Sequence, residues 1–461
     1  MTIISQQGTL EQREGLITRF FKQVKLGKQL KSSNITKASG VSTVSLYQYL
    51  FNLVFLHQNH YSSMQQEHKP FAGDTVYRFL HEGRYNWEKF LLRLALSATD
   101  IIRSWSNSSR NELAIVIDDT PFKRDRSKRV ELLSRVYDHA SHKFFRGYQM
   151  LTMAWTDGYS IIPCGFRLIA SSKAKNLYVS ARQDLDKRTL AAKRRIAAQK
   201  SKPELVMDML KQIANSGIIA HYVLMDSWFF MPQLMLQINQ LGFDAIVRMR
   251  RMKWTIYRYR GRLYTLDALY HIASKHTSSA TCSILVEMNT ASRLLPIRIA
   301  FGSDRSKNHS WFAVASTDVT LSSEDIIRIY GKRWGIETMF RICKENLRLS
   351  KEFETRSYDA AVASTTIVLT RYMCLGLEHR SCTDKRSWGE LFRICLEELI
   401  GISFQDSLLL LLRDVAHAIS CNFSLDSSVV QDTIFSVANS TYSLILSVFP
   451  PLLFHPIGCE C

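Results

Sequence analysis

The sequence predicts an α/β protein with acids at the ends of its core strands and helical regions on either side. Three observations carry this. LAIVID (113–118) and HYVLMD (221–226) are short apolar runs that stop at acids, as strands buried on both faces would be. Residues 244–318 alternate or run β-branched between turn residues. Before residue 105 and after 322, apolar residues recur at spacings of three and four.

The 461 residues, 46% of them hydrophobic, are enough for a large core and for two or three domains. An excess of 60 Lys+Arg over 41 Asp+Glu gives a net charge of +19, which points to a polyanionic partner such as a nucleic-acid backbone. Nine cysteines show no C-x-x-C pair, so no zinc site or disulfide framework is indicated and a reduced, cytoplasmic setting is expected. The N-terminus lacks a basic segment followed by an apolar one, so no signal peptide is expected. The apolar stretches 360–377 and 441–454 are broken by Arg371 or by Pro450-Pro451, so they read as buried segments, with no membrane partner.

Residues 1–105 read as a separate helical, DNA-binding domain. Within it, 34–50 outlines a helix-turn-helix, with a turn at Ser39-Gly40-Val41 and a Ser42 cap. Residues 106–377 read as the core. Its first strand ends at Asp118-Asp119, and two further strands flank a two-residue hairpin at Asp157-Gly158. A basic helical stretch (173–217) follows, and the next strand ends at Asp226. Strand, hairpin, helix, strand is the order of a ribonuclease H-like core, here with a β-strand-rich insertion at about 244–318. Residues 378–461 read as a helical C-terminal region.

The most specific pattern lies in IYGKRWGIETMFRICKEN, where Tyr330, Arg333, Glu337 and Lys344 are spaced by three, four and seven residues. On one helix, opened by a Ser322 cap, these offsets fall within a sector of about 60°. An acid then stands between two cations and a phenol. Glu337 is suited to a hard cation, while Arg333 and Lys344 suit phosphates. Asp118 or Asp119, together with Asp226, would complete a carboxylate set for two-metal phosphoryl transfer. Neighbouring strand residues face opposite ways, so only one of Asp118 and Asp119 can point at a metal. Basic clusters surround these acids: Lys123 to Arg129; Lys193, Arg194 and Arg195; and Arg248, Arg250, Arg251, Lys253, Arg258, Arg260 and Arg262 interleaved with aromatics. Neither G-x-S-x-G nor a P-loop occurs, so ATP hydrolysis is not expected.

Taken together, VIDDT (116–120), VLMDSW (223–228) and the Y-x-x-R-x-x-x-E-x-x-x-x-x-x-K array at 330–344 resemble the DDE transposases of bacterial insertion sequences, of the insertion-sequence-four type with its YREK signature. The resemblance implies a ribonuclease H-like catalytic core and cut-and-paste chemistry at terminal inverted repeats. It implies two Mg²⁺ ions, replaceable by Mn²⁺, held by Asp118, Asp226 and Glu337. Its Asp-x-Thr pattern favours Asp118 with Thr120, and Asp119 is the rival catalytic acid. Tyr330, Arg333 and Lys344 become DNA-end contacts, joined by Arg250, Arg251 and Lys253 from the basic clusters. A base flipped onto Trp228, Trp254 or Trp334 is also implied, as are double-stranded transposon and target DNA, a homodimeric synaptic complex and association with the nucleoid. The alternative is a catalytically silent, transposase-derived DNA-binding protein.

Overall fold

The computed structural model describes residues 15–65, 71–105, 112–139, 141–252, 255–275, 281–303, 311–352, 355–381 and 386–401, with single positions between 412 and 436. Met1–Arg393 form one compact unit and Ile394–Cys461 a second, of which 394–401 are helical. Lys253, Trp254, the apolar run 441–454 and most of the predicted C-terminal region lie outside the described residues.

The described strands form one mixed sheet. They are β1 (Ala114–Lys123), β2 (Ser134–Asp138), β3 (Lys143–Thr156), β4 (Ile161–Ile169), β5 (Tyr222–Met225), β6 (Asp244–Arg248), β7 (Ile256–Tyr259), β8 (Arg262–Thr265), β9 (Thr281–Asn289), β10 (Leu294–Ser303) and β11 (Trp311–Ser316). β4, β3 and β1 run antiparallel to their neighbours, then β5 and β6 join in parallel with β1, and β11, β10, β9, β7 and β8 carry the sheet onward. β6 was counted with the strand-rich insertion from its β character. Its parallel pairing with β5 makes it a core strand, and the segments after it extend the core sheet through the β6–β11 pair.

Several local expectations change for identifiable reasons. The β3–β4 connection takes four residues, because Thr156 pairs with Ile161 and the Asp157 carboxylate accepts the backbone N–H groups of Tyr159 (2.9 Å) and Ser160 (2.7 Å). The basic stretch 173–217 contains two α-helices, Leu190–Ala198 and Lys202–Ala214, separated where Ser201 and Glu204 form a capping box. In the helix-turn-helix outline, Ser42 does cap Thr43–Asn52, but the preceding helix ends at Ser32, and 34–42 are not helical.

The N-terminal helices do not stand apart. Trp87–Trp105 packs on β4 and on the long helix Tyr358–Ser381. Inside the latter, the fully buried Arg371 is paired to Glu352 through two 2.6 Å contacts and donates to the backbone carbonyls of Leu50 and Phe51, at the C-terminal end of Thr43–Asn52. A cation on the free carbonyls of a helix end satisfies acceptors that would otherwise be orphaned. Tyr358–Ser381 is long and apolar enough to cross a membrane, yet nearly all of it is enclosed by the rest of the unit.

Candidate active site

β1 and β5 are paired in parallel up to Ile117↔Met225, so Asp118 and Asp226 follow side by side at the same end of the sheet. Asp226 opens a short 3-10 turn, Ser227–Phe229, by accepting the Trp228 N–H at 3.0 Å. The signature segment lies across β1. The anticipated single helix is present as Ser323–Gly331, a 3-10 turn over Lys332–Trp334, and Gly335–Glu345. Ser322 caps it as expected, accepting from the Asp325 N–H at 3.0 Å. Gly335 explains the close approach: a Cβ there would meet the Ile161 side chain of β4 at 2.6 Å.

Arg333 joins two of the predicted acids. Its Nη1 donates to Asp118 Oδ2 at 2.9 Å and its Nη2 to Glu337 Oε1 at 2.5 Å. Lys344 Nζ donates to Thr120 Oγ1 at 2.5 Å. Asp118 and Thr120, two residues apart on β1, therefore share the face that meets the signature helix. Asp119 makes different contacts: Gln149 Nε2 donates to its Oδ1 at 2.7 Å, and Lys202, the first residue of Lys202–Ala214, forms an ion pair with its Oδ2. Tyr330 lies beneath Arg333, whose guanidinium sits 5.9 Å from its ring centre.

The electrostatics separate these groups. Burial pushes the Asp118 carboxyl up to about 7; Arg333 and the Asp119 N–H pull it down, and the neighbouring carboxylates Asp119 and Asp226 push it up again. Asp226 is also raised, by burial first and by Asp119. Burial works against the charge of Arg333, but Tyr330, Asp118 and Glu337 outweigh it, and its pKa is raised. The Lys344 ammonium is lowered, chiefly by burial. The carboxylates thus crowd together with too little positive charge, and their donors are all oxygens, as a hard divalent cation requires. Among the described residues, no three His, Cys, Asp or Glu side chains stand close enough to grip one ion together; between Asp118 and Glu337 stands the Arg333 guanidinium.

The other predicted contacts are scattered. Arg250 reaches Ser227 Oγ at 3.3 Å, beside Asp226. Arg251 turns away, paired with Asp267 at 2.6 Å and stacked 4.1 Å over the Trp311 ring. Trp228 lies under the Lys202 ammonium at 4.5 Å, and Trp334 is exposed. Arg194 and Arg195, read from sequence as part of a phosphate-gripping cluster, are buried instead, because Glu131 and Asp359 pair with them inside the fold. Lys202 and Thr120 were missed as interacting groups. The lysine is separated from Asp119 by 83 positions, which no local pattern reveals, whereas Thr120 was legible only as a neighbour of the acids.

Comparison with known families agrees with this geometry. A DDE superfamily endonuclease model matches residues 56–258, and a transposase DDE domain model matches 179–374. Together they take in both strand-end acids and the whole signature segment. These DDE endonuclease and transposase domain matches make the chain an enzyme, a metal-dependent nuclease or transposase that acts on DNA. No curated protein matches it.

Proposed function

We propose that the chain is a cut-and-paste transposase of the insertion-sequence-four type, which cleaves DNA at the terminal inverted repeats of its element and joins the freed ends to a target. The observation that carries this reading is the Arg333 clamp, which holds Asp118 and Glu337 at 2.9 and 2.5 Å at the strand end where Asp226 also lies. The β4–β3–β1–β5–β6 order supports a ribonuclease H-like core for it.

In this reading Asp118, Asp226 and Glu337 hold two Mg²⁺ ions, with Mn²⁺ as a substitute; such ions activate the attacking water or 3′-hydroxyl and stabilise the leaving oxygen. Deprotonated Asp118 would be one of the ligands of such an ion, and Arg333, which now bridges Asp118 and Glu337, would be placed to meet a DNA phosphate. Lys344 and Tyr330 hold the strand near Thr120 and Asp226. Asp119, already engaged by Lys202 and Gln149, orients the end of β1. Two protomers pair the two ends, as the family resemblance implies.

The test is Mg²⁺-dependent cleavage and strand transfer on a duplex carrying the element's own terminal repeat. Wild type is expected to cut and join. Glu337→Gln, Asp226→Asn and Asp118→Asn should bind without cutting, while Asp119→Asn retains cleavage. If wild type binds that duplex and never cuts it with Mg²⁺ or Mn²⁺, a silent DNA-binding protein replaces this reading.

A further inference from the structure

A cavity of about 750 Å³ opens between the helices Trp87–Trp105, Leu190–Ala198 and Lys202–Ala214, and none of Asp118, Asp226 and Glu337 lines it. Both acids in its lining are already paired: Glu88 with Arg167 at 2.9 Å, Asp208 with Lys200 at 2.7 Å. Four further cations in the lining, Lys89, Arg93, Lys193 and Lys211, have no carboxylate partner among the described residues; Arg93 donates to the neutral Gln29 at 2.7 Å. The three lysines are exposed.

A second observation points the same way. Arg194 also lines the cavity and is only 7% exposed. Its Nη2 donates to the Gly83 carbonyl at 2.5 Å and lies 3.2 Å from Asp359, but its Nη1 is buried with no hydrogen-bond partner. A buried guanidinium N–H without an acceptor is costly, and an anionic oxygen is the acceptor that suits it best.

The dimensions narrow the ligand. The lining runs from Lys200 to Ser216, past both ends of the thirteen-residue helix Lys202–Ala214, a length of about 20 Å at 1.5 Å per residue. Phosphates follow one another about every 3.4 Å of axis on each strand of a duplex, so a small phosphate ligand would occupy one end of this groove and leave most of its charge unmet. Lys200 stands two residues from Lys202, whose ammonium meets Asp119. One end of the groove is therefore two residues along the chain from the lysine that pairs with Asp119, the neighbour of Asp118 on β1.

We propose that this groove is a second DNA-binding site, holding the phosphate backbone of the duplex that leads away from the acids. It rests on the proposed transposase reading only for the identity of that duplex as substrate. The probe is a labelled duplex of arbitrary sequence, without any terminal repeat, bound across a salt series. The proteins compared are Glu337→Gln and the same variant carrying Lys89→Gln, Lys193→Gln and Lys211→Gln, with melting temperature as the check on folding. The expected result is roughly tenfold weaker binding and a slope of log K against log salt shallower by about 2–3, with Lys193→Gln alone reducing it by about 0.9. An unchanged slope overturns the proposal, whether or not wild type cuts DNA. A variant that loses tripolyphosphate binding but keeps its duplex affinity and slope marks a small-anion pocket and overturns it too. If the slope falls as expected while wild type never cuts, the groove stands and the catalytic reading fails.

Discussion

Two clusters in this protein set arginines against carboxylates, and they do so to opposite effect. Around Glu131, Arg195 gives two bonds of 2.6 and 2.7 Å, and the backbone N–H groups of Arg182 and Tyr358 add bonds at 2.8 and 3.1 Å. Burial raises the Glu131 carboxyl, but these donors outweigh it and hold it below its ordinary value. Asp359 forms ion pairs with Arg195 at 2.8 Å and with Arg194 at 3.2 Å, although its Oδ1 accepts no hydrogen bond. At the strand ends, by contrast, one guanidinium is shared between Asp118 and Glu337, and Asp118 is pushed up to about 7. A buried carboxylate supplied with enough donors holds the fold together. One left short of positive charge is prepared for a cation or a phosphate-rich ligand to complete it.

The largest effect that would break this contrast is on stability. Arg195→Met leaves Glu131 and Asp359 buried beside too few donors, and we expect a loss of about 3–5 kcal/mol in denaturant unfolding. A loss below about 1 kcal/mol would mean that the inner cluster is not a structural one.

Glu337→Gln probes the other cluster. Its folding stability should change little, since Glu337 is part-exposed, while cleavage of a terminal-repeat duplex falls at least about a hundredfold. Retained cleavage would remove Glu337 from the catalytic set.

Gly335→Ala tests the close approach that brings the signature helix onto β4. With Ile161 at 2.6 Å from the added Cβ, the expected cost is about 1–3 kcal/mol, read by thermal melting. A neutral result would show that the helix can ride outward freely.

The smallest effect is a pH dependence. Asp118 binds its proton more tightly in the folded protein, at about 7, than at its ordinary 3.8. The folded state therefore holds an extra proton between those values, and this residue's contribution to stability falls as pH rises through that window. Asp118→Asn removes the dependence. In metal-free buffer, the melting temperature of the variant relative to wild type should rise by on the order of 2 °C between the acid and alkaline sides of the window. A difference that stays flat with pH would place the Asp118 titration elsewhere.

Much of the fold was legible because it is written locally. LAIVID and HYVLMD are apolar enough to be strands buried on both faces, and both lie in strands; β5 stops at Met225, just before Asp226, but β1 does not end at Asp118, because its pairing with β3 carries it on to Lys123. The Ser322 cap and the helical character around 330–344 were readable from spacing alone. The count of charges was readable, but its use was not. Lys193, Arg194 and Arg195 look alike in sequence, yet Lys193 is exposed in the groove while its two neighbours are buried against Glu131 and Asp359. Arg250 and Arg251 are adjacent as well, and one turns to Ser227 while the other pairs with Asp267.

The sequence by itself determined which acids follow the apolar runs of the core strands, which side chains a helix would present together, and that the protein carries a large positive charge, because these follow from residue order over a few turns or one strand. Tertiary structure alone decided how the sheet extends past β6 through β11, how Arg371 ties the N-terminal helices to the core, and which face of β1 meets the signature segment. Those outcomes depend on contacts between residues as far as 321 positions apart, such as Arg371 and Leu50, and on the need of each buried charge for a counter-charge that only the folded chain can bring to it.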